Sequence, residues 1–180
     1  MSTNPISGLL RRVLRRGHNA TTPSQQTQIE SLGDEVHGDV EVLEAYGLST
    51  VPPAAVTEGL AAFLNGQSDH GVLLGWFDKT YRPADLQPGE TCLYDFNGSR
   101  VLLNKDGEIT LTDKSGSSIK LLQNGDVVIS PSSNNLIINA NVQVNGGVTA
   151  SADVVAGSVS LQSHVHGGVR PGPANTSPPL

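Results

Sequence analysis

The chain has 180 residues, a formal net charge of −6 and one cysteine, Cys92. A single cysteine excludes an intrachain disulfide, and no apolar run approaches the roughly 20 residues that cross a bilayer. Hydrophobic residues make up 37% of the chain and aromatics 4%, which is low for one large core and predicts an ordinary domain plus an extension.

The charge is polarised. Residues 1–16 carry +4 (Arg11, Arg12, Arg15, Arg16), residues 17–100 carry −9 and residues 101–180 carry −1. A basic arm on an acidic body suggests nucleic acid at first sight, but the acidic body repels phosphates, so no nucleic-acid partner is expected. The N-terminus lacks the apolar h-region of a signal peptide, which predicts a protein made soluble in a cytoplasm.

Leu9-Leu10-Arg11-Arg12-Val13-Leu14-Arg15-Arg16 alternates apolar and basic pairs at helical spacing. That spacing predicts a short helix, ended by Gly17 and the Thr21-Thr22-Pro23-Ser24 cluster. So short a helix is marginal alone in water. Residues 1–26 are therefore expected to be a basic arm that orders on a protein partner.

From Thr27 the signals are those of strands: Gln28–Glu30, Asp39–Gly47, Ala54–Val56, Gly59–Leu64, His70–Phe77 and Glu90–Phe96. Leu60–Leu64 also fits a helix, yet Asn65-Gly66 is a strong hairpin signal and favours a strand. Short strands with Gly, Asn and Asp turns over residues 27–97 predict a small closed barrel, with the five-stranded OB-fold as the candidate. All seven aromatics lie between Tyr46 and Phe96, which places the conventional core here.

Residues 98–161 repeat short apolar pairs: Val101/Leu103, Ile109/Leu111, Ile119/Leu121, Val127/Ile129, Leu136/Ile138 and Val142/Val144, then Val148, Val154 and Val159/Leu161. The i, i+2 spacing puts each pair on one face of a strand. Asp106-Gly107, Ser115-Gly116, Asn124-Gly125, Asn145-Gly146-Gly147 and Ala156-Gly157 lie between them. Steps of 8, 10, 8, 9, 6, 6, 6 and 5 between units shorten along the chain, as in a taper. No aromatic follows Phe96 to fill a wide core. Strands this short must stack or find partners, and several copies wound about one axis bury their apolar faces most simply.

The shaft ends on Ser163-His164-Val165-His166-Gly167-Gly168, and a Gly/Pro-rich tail completes a tip over residues 162–180. His164 and His166 point the same way on a strand. Two ligands make a poor metal site, but under threefold symmetry they supply six nitrogens, enough for octahedral coordination by a transition metal other than tetrahedral zinc.

Other titratable groups are weaker candidates. Asp34, Glu35, His37 and Asp39 read as a solvated acidic turn, His70 as structural and Cys92 as buried core. No hydrolase, metalloprotease, P-loop or dinucleotide fingerprint is present, and the shaft's scattered acids offer no carboxylate pair, so no enzyme is expected.

Tyr46-Gly47-Leu48, Gly66-Gln67-Ser68-Asp69-His70-Gly71-Val72-Leu73-Leu74-Gly75, Arg82-Pro83, Gly89-Glu90 and Tyr94-Asp95 resemble the OB-fold domain of contractile-tail phage baseplate spikes. The resemblance is to the Mu-like and P2-like baseplate assembly protein V family. It continues through Gly98 and the repeat to Ser163-His164-Val165-His166-Gly167-Gly168-Val169, with Pro171-Gly172 and Thr176 after it.

The resemblance implies an all-β homotrimer with OB barrels, a triple-stranded intertwined β-helix and a pointed apex where His164 and His166 of three chains hold one iron ion. It implies a spike at the centre of the virion's tail baseplate, docked on hub proteins through the arm and OB domain. Such a spike pierces the host outer membrane when the sheath contracts. The alternative is a trimeric β-helical receptor-binding or host-attachment fibre, which needs recognition loops; the shaft has no aromatics to build them.

Overall fold

The computed structural model describes residues 9–31, 33–63, 71–168 and 172. Among them it is all-β, with twelve strands and no helix, divided into two compact units, Met1–Leu136 and Ile137–Leu180.

Five strands close a barrel: β1 (Leu10–Asn19), β2 (Gln26–Glu30), β3 (Val36–Val42), β4 (Glu58–Phe63) and β5 (Gly71–Phe77). Their order is β1-β2-β3-β5-β4, with β4 returning to β1. All pairs are antiparallel except β3 with β5, which run parallel through Glu41↔Val72 and Val42↔Leu73. Val13, Ile29, Val40, Ala61, Phe63 and Leu73 fill the interior, and Phe63, Ile29 and Leu73 are fully buried. Gly59 is required by close approach, since a Cβ there would meet Leu73 Cδ1 at 2.9 Å and the Gly75 carbonyl at 3.0 Å.

The helix expected over Leu9–Arg16 is wrong: this stretch runs into β1, and residues 10–19 of the expected arm are a barrel wall. The paired doublets fit a period of 3.6 and not one of two, since each strand face mixes apolar and basic residues, and long-range closure overrides this local pattern. As a strand the stretch gains ladders to both β2 and β4, whereas a lone eight-residue helix gains only a few internal bonds. Val13 then points into the core, and Arg11 and Arg15 lay their stems along Phe63 and Trp76 with guanidinium carbons 4.8 and 5.5 Å from the ring centres. Arg15 also donates to the carbonyls of Pro52 and Pro53, at 2.9 and 2.7 Å, and so pins the loop after β3.

The other strand expectations divide. β4 confirms the strand chosen over Leu60–Leu64 as far as Phe63, and β4 pairs with β5 as a hairpin whose Asn65-Gly66 turn lies outside the described residues. The strand expected over Asp39–Gly47 stops at Val42, and Ala54–Val56 is loop. Glu90–Phe96 does contain a strand, β6 (Thr91–Tyr94), but it belongs to the next sheet rather than the barrel.

That sheet is an antiparallel meander of β6, β7 (Arg100–Leu103), β8 (Ile109–Thr112), β9 (Ser118–Leu121) and β10 (Val127–Ser130). Its turns repeat every nine residues. Gly98, Gly107, Gly116 and Gly125 all take positive φ, between 86° and 94°, and Asn134 takes 61° at the fifth position. Each of the first four turns closes with two backbone bonds, as in Gly116 N–H to Asp113 O and Asp113 N–H to Ser117 O. At the fifth, Asn134 N–H still reaches Pro131 O at 3.2 Å, but Pro131 has no N–H to return the second bond. β10 is accordingly the edge of the sheet. Residues 136–139 stand nine beyond β10 yet form no strand.

The meander is fastened to the barrel through Asp78. Its carboxylate accepts from Thr80 N–H, Tyr81 N–H and the Tyr94 hydroxyl at 2.9, 2.8 and 3.0 Å. Burial pushes this carboxyl up, but the hydrogen bonds outweigh it and hold the group below the usual range. In the second unit, β11 (Val155–Ala156) and β12 (Val159–Ser160) form a small hairpin turned at Gly157.

Candidate functional site

Two features stand out, an uncovered sheet face and a histidine pair. The register aligns Leu93, Val101, Leu111, Ile119 and Ile129 in one row across the meander, and Leu103, Ile109, Leu121 and Val127 in a parallel row on the same face. Eight of these nine side chains are exposed, Val127 at 63% and Ile129 at 49%. The first row walls an apolar groove of about 730 Å³, with Leu48 at its barrel end. The opposite face is mainly polar, with Tyr94, Arg100, Thr112, Ser118 and Ser130 in one row and Cys92, Leu102, Thr110, Lys120 and Val128 in the next. The sheet therefore has one apolar and one mainly polar face, as a half-buried sheet should, and its apolar rows are left exposed.

The histidines follow β12. There the chain turns back on Ser160: Ser163 N–H donates to Ser160 Oγ at 2.9 Å, and His164 N–H to Ser160 O at 3.2 Å. His164 Nδ1 lies 2.9 Å from the same carbonyl. A carbonyl only accepts, so Nδ1 carries the proton and Nε2 keeps its lone pair. The His164 and His166 rings are 5.1 Å apart between centroids, at 79°, and both are exposed. The Asp153 carboxylate accepts from Gln162 N–H at 3.0 Å, and the nearby Ser160 hydroxyl and backbone amides hold it below its usual range. Ser160 thus orients His164, Asp153 braces the turn before it, and no motif in the sequence marks either of them.

Among the described residues, no group of three or more His, Cys, Asp or Glu is placed to hold a metal ion within one chain. Two imidazoles leave a four- or six-coordinate ion incomplete. The donor set therefore fits a metal only where copies of the chain meet.

The remaining candidates are structural. His37, expected in a solvated turn, is instead buried: its Nε2 sits 3.2 Å from Ser31 Oγ and its ring 4.9 Å from Phe63. Glu35 approaches that same nitrogen, at 3.7 Å, and pairs with Arg11 at 3.1 Å, so serine, histidine and glutamate are not arranged as a relay through both ring nitrogens. Asp34 holds a turn and Asp39 sits within β3 where its pairing with β2 shifts register, both at positive φ. Cys92 is half-buried with a thiol raised by burial, and His70 lies outside the described residues.

Residues 12–80 match the family model for Bacteriophage Mu Gp45, N-terminal, and residues 158–179 match the GpV Apex motif. The first match opens within β1 and runs past β5; the second holds Ser160, His164 and His166. The baseplate puncturing device gp45 of Escherichia phage Mu is 40% identical over 84 residues, 46% of this chain and 42% of that protein. The Mu-like prophage FluMu protein gp45 of Haemophilus influenzae is 34% identical over 83 residues, 46% of this chain and 44% of that protein. The chain spans less than half the length of these relatives. At its barrel the chain is thus similar to the N-terminal part of Mu gp45, a baseplate protein, and over residues 158–179 to the GpV apex motif.

Proposed function

We propose that the chain is one of three in a homotrimeric central spike that punctures the host outer membrane, with no catalytic role. The observation that carries the reading is the uncovered apolar face of β6–β10. Three copies facing one axis bury both apolar rows and leave the polar faces in water. The barrel order, with β1 paired to both β2 and β4 and β3 parallel to β5, supports an OB-fold. Because β1 is part of that barrel, docking on other baseplate components falls to the barrel's outer surface rather than to a free arm.

Pro131 supports a division of the proposed shaft. Strands up to β10 pair within their own chain, so this part is a three-walled prism. Beyond Pro131 the apolar pairs Leu136/Ile138 and Val142/Val144 have no ladder of their own, and there the three chains wind together.

At the tip, His164 and His166 of three chains would hold one iron ion through six imidazole nitrogens. The ion supplies coordination bonds that tie three chain ends together. The chain's own part is the tautomer set at His164 by the Ser160 carbonyl and the turn held by Asp153. Mass measurement in solution tests the assembly: the reading expects a trimer, and a folded monomer as the sole species refutes it.

A further inference from the structure

We propose that Asn145-Gly146 is a built-in site of spontaneous modification, at which the Asn145 side chain converts to aspartate and isoaspartate. Three Asn-Gly pairs lie among the described residues: Asn97-Gly98, Asn124-Gly125 and Asn145-Gly146. The reaction is the same for each. The backbone nitrogen of the glycine, losing its proton to hydroxide, attacks the asparagine Cγ; the Cγ–Nδ2 bond breaks and ammonia leaves. Water then opens the resulting five-membered imide at either carbonyl. The net change is one amide and one water to one carboxylate and ammonium. Attack needs a free glycine nitrogen and a side chain able to swing onto it.

The two pairs in the meander are restrained against this. Gly125 N–H is held by Leu122 O at 3.0 Å, and Gly125 is fixed at φ 89°. Asn124 is tied at both ends of its amide, Oδ1 accepting Asp126 N–H at 3.0 Å and Nδ2 donating to Asp126 Oδ2 at 2.8 Å. Gly98 sits in the same type of turn, its N–H directed to Asp95 O at a longer 3.4 Å, with the Asn97 N–H held by Asp95 Oδ1 at 2.9 Å. The third pair is open. Asn145, Gly146 and Gly147 are exposed, belong to no strand, and nothing approaches within 4 Å of where a Cβ on Gly146 or Gly147 would stand. Among the described residues the one polar contact at the Asn145 side chain is a long 3.4 Å bond from Gln143.

The consequence reaches beyond one added negative charge. Isoaspartate routes the backbone through the side-chain methylene, inserting one extra atom between Val144 and Val148. Where three chains wind together, as the proposed function has it, alternation of side chains depends on an unbroken backbone period, so the apolar positions on either side of the lesion fall out of phase.

The test ages the full-length protein in mildly alkaline buffer, with peptide mass mapping for deamidation and isoaspartyl methyltransferase labelling for isoaspartate. The expected order is Asn145 first, Asn97 next and Asn124 last, with Asn145 more than about tenfold ahead of Asn124, the factor set by freeing one or two ordinary hydrogen bonds. In denaturant the three rates should converge. Gly146→Ala, which meets no neighbour, should slow Asn145 and leave the other two sites unchanged. An Asn145 that stays intact in the folded protein while Asn97 or Asn124 reacts overturns the proposal, as does an unchanged rate in Gly146→Ala. A protected Asn145 in a confirmed trimer would leave the assembly standing and remove only this site.

Discussion

Ile119→Asp separates a sheet that faces water from one that faces its own copies. Ile119 stands in the apolar row between Leu111 and Ile129, and in the single chain it is 41% exposed. If that exposure were its final state, an aspartate there would be an ordinary surface change, within about 0.5 kcal/mol. If three copies converge on this face, the native side chain gains the burial it lacks. Covering the remaining two-fifths of an isoleucine is worth about 1 kcal/mol per chain, from roughly 1.5–3 for a full side chain. The aspartate loses that and brings three carboxylates together away from water, at several kcal/mol each. The total, on the order of 10 kcal/mol per assembly, exceeds what a marginally stable interface withstands. Native mass spectrometry and sedimentation should show Ile119→Asp as monomer while circular dichroism retains its strand signal. Thr110→Asp, on the opposite face, is the matched control and should still assemble. An Ile119→Asp protein with unchanged mass and melting temperature would refute the reasoning, whatever the control does.

Gly59→Val should destabilise the barrel by about 2 kcal/mol or more through overpacking against Leu73 and the Gly75 carbonyl, read as a fall in the denaturation midpoint. The double change His164→Ala, His166→Ala should abolish bound transition metal by elemental analysis while leaving the strand signal in place; in the unchanged protein, acid should release the metal because protons compete for the ring nitrogens. Glu30 is held low by its hydrogen bond from Arg16, and Glu58 by that from Lys79. Both are depressed in the folded state, so the stability they add is present above the ordinary carboxylate range and fades as pH falls through their folded values. Arg16→Gln should therefore flatten the acid limb of a melting-temperature-against-pH curve, and an unchanged limb would show that this pair contributes nothing.

How far the sequence could be read depended on whether the deciding interaction was local. The apolar pairs of β7 to β10 were legible because i, i+2 spacing and a turn glycine are both local signals. So was β4, where the hairpin signal overrode a plausible helix. Leu9–Arg16 was not: its doublets favour the helical period, and the ladder partners that decide lie in β2 and β4, up to 52 positions away. The even spacing of the meander was also hidden. Counted from apolar pairs the steps are uneven, whereas the backbone repeats on the positive-φ position, at Gly98, Gly107, Gly116, Gly125 and Asn134. At the tip, the histidine pair was legible from type and spacing. Ser160 and Asp153 were not, because a serine four residues before a histidine and an acid two residues ahead of the facing strand are commonplace until a turn brings them together.

The nine-residue spacing of those turns makes the meander a graded ruler. Each unit of nine adds one strand and reverses the chain, so two units, eighteen residues, restore the original direction and keep every side chain on its face. Adjacent strands are about 4.8 Å apart, which sets the increment by which this part of the molecule can be lengthened or shortened without disturbing either end. Removing β8 and β9 together should leave β7 meeting β10 in the register it now keeps with β8, a molecule shorter by roughly 10 Å. Removing a single unit of nine would instead bring Lys120 to where Leu111 now stands and turn an apolar row outward for the rest of the sheet.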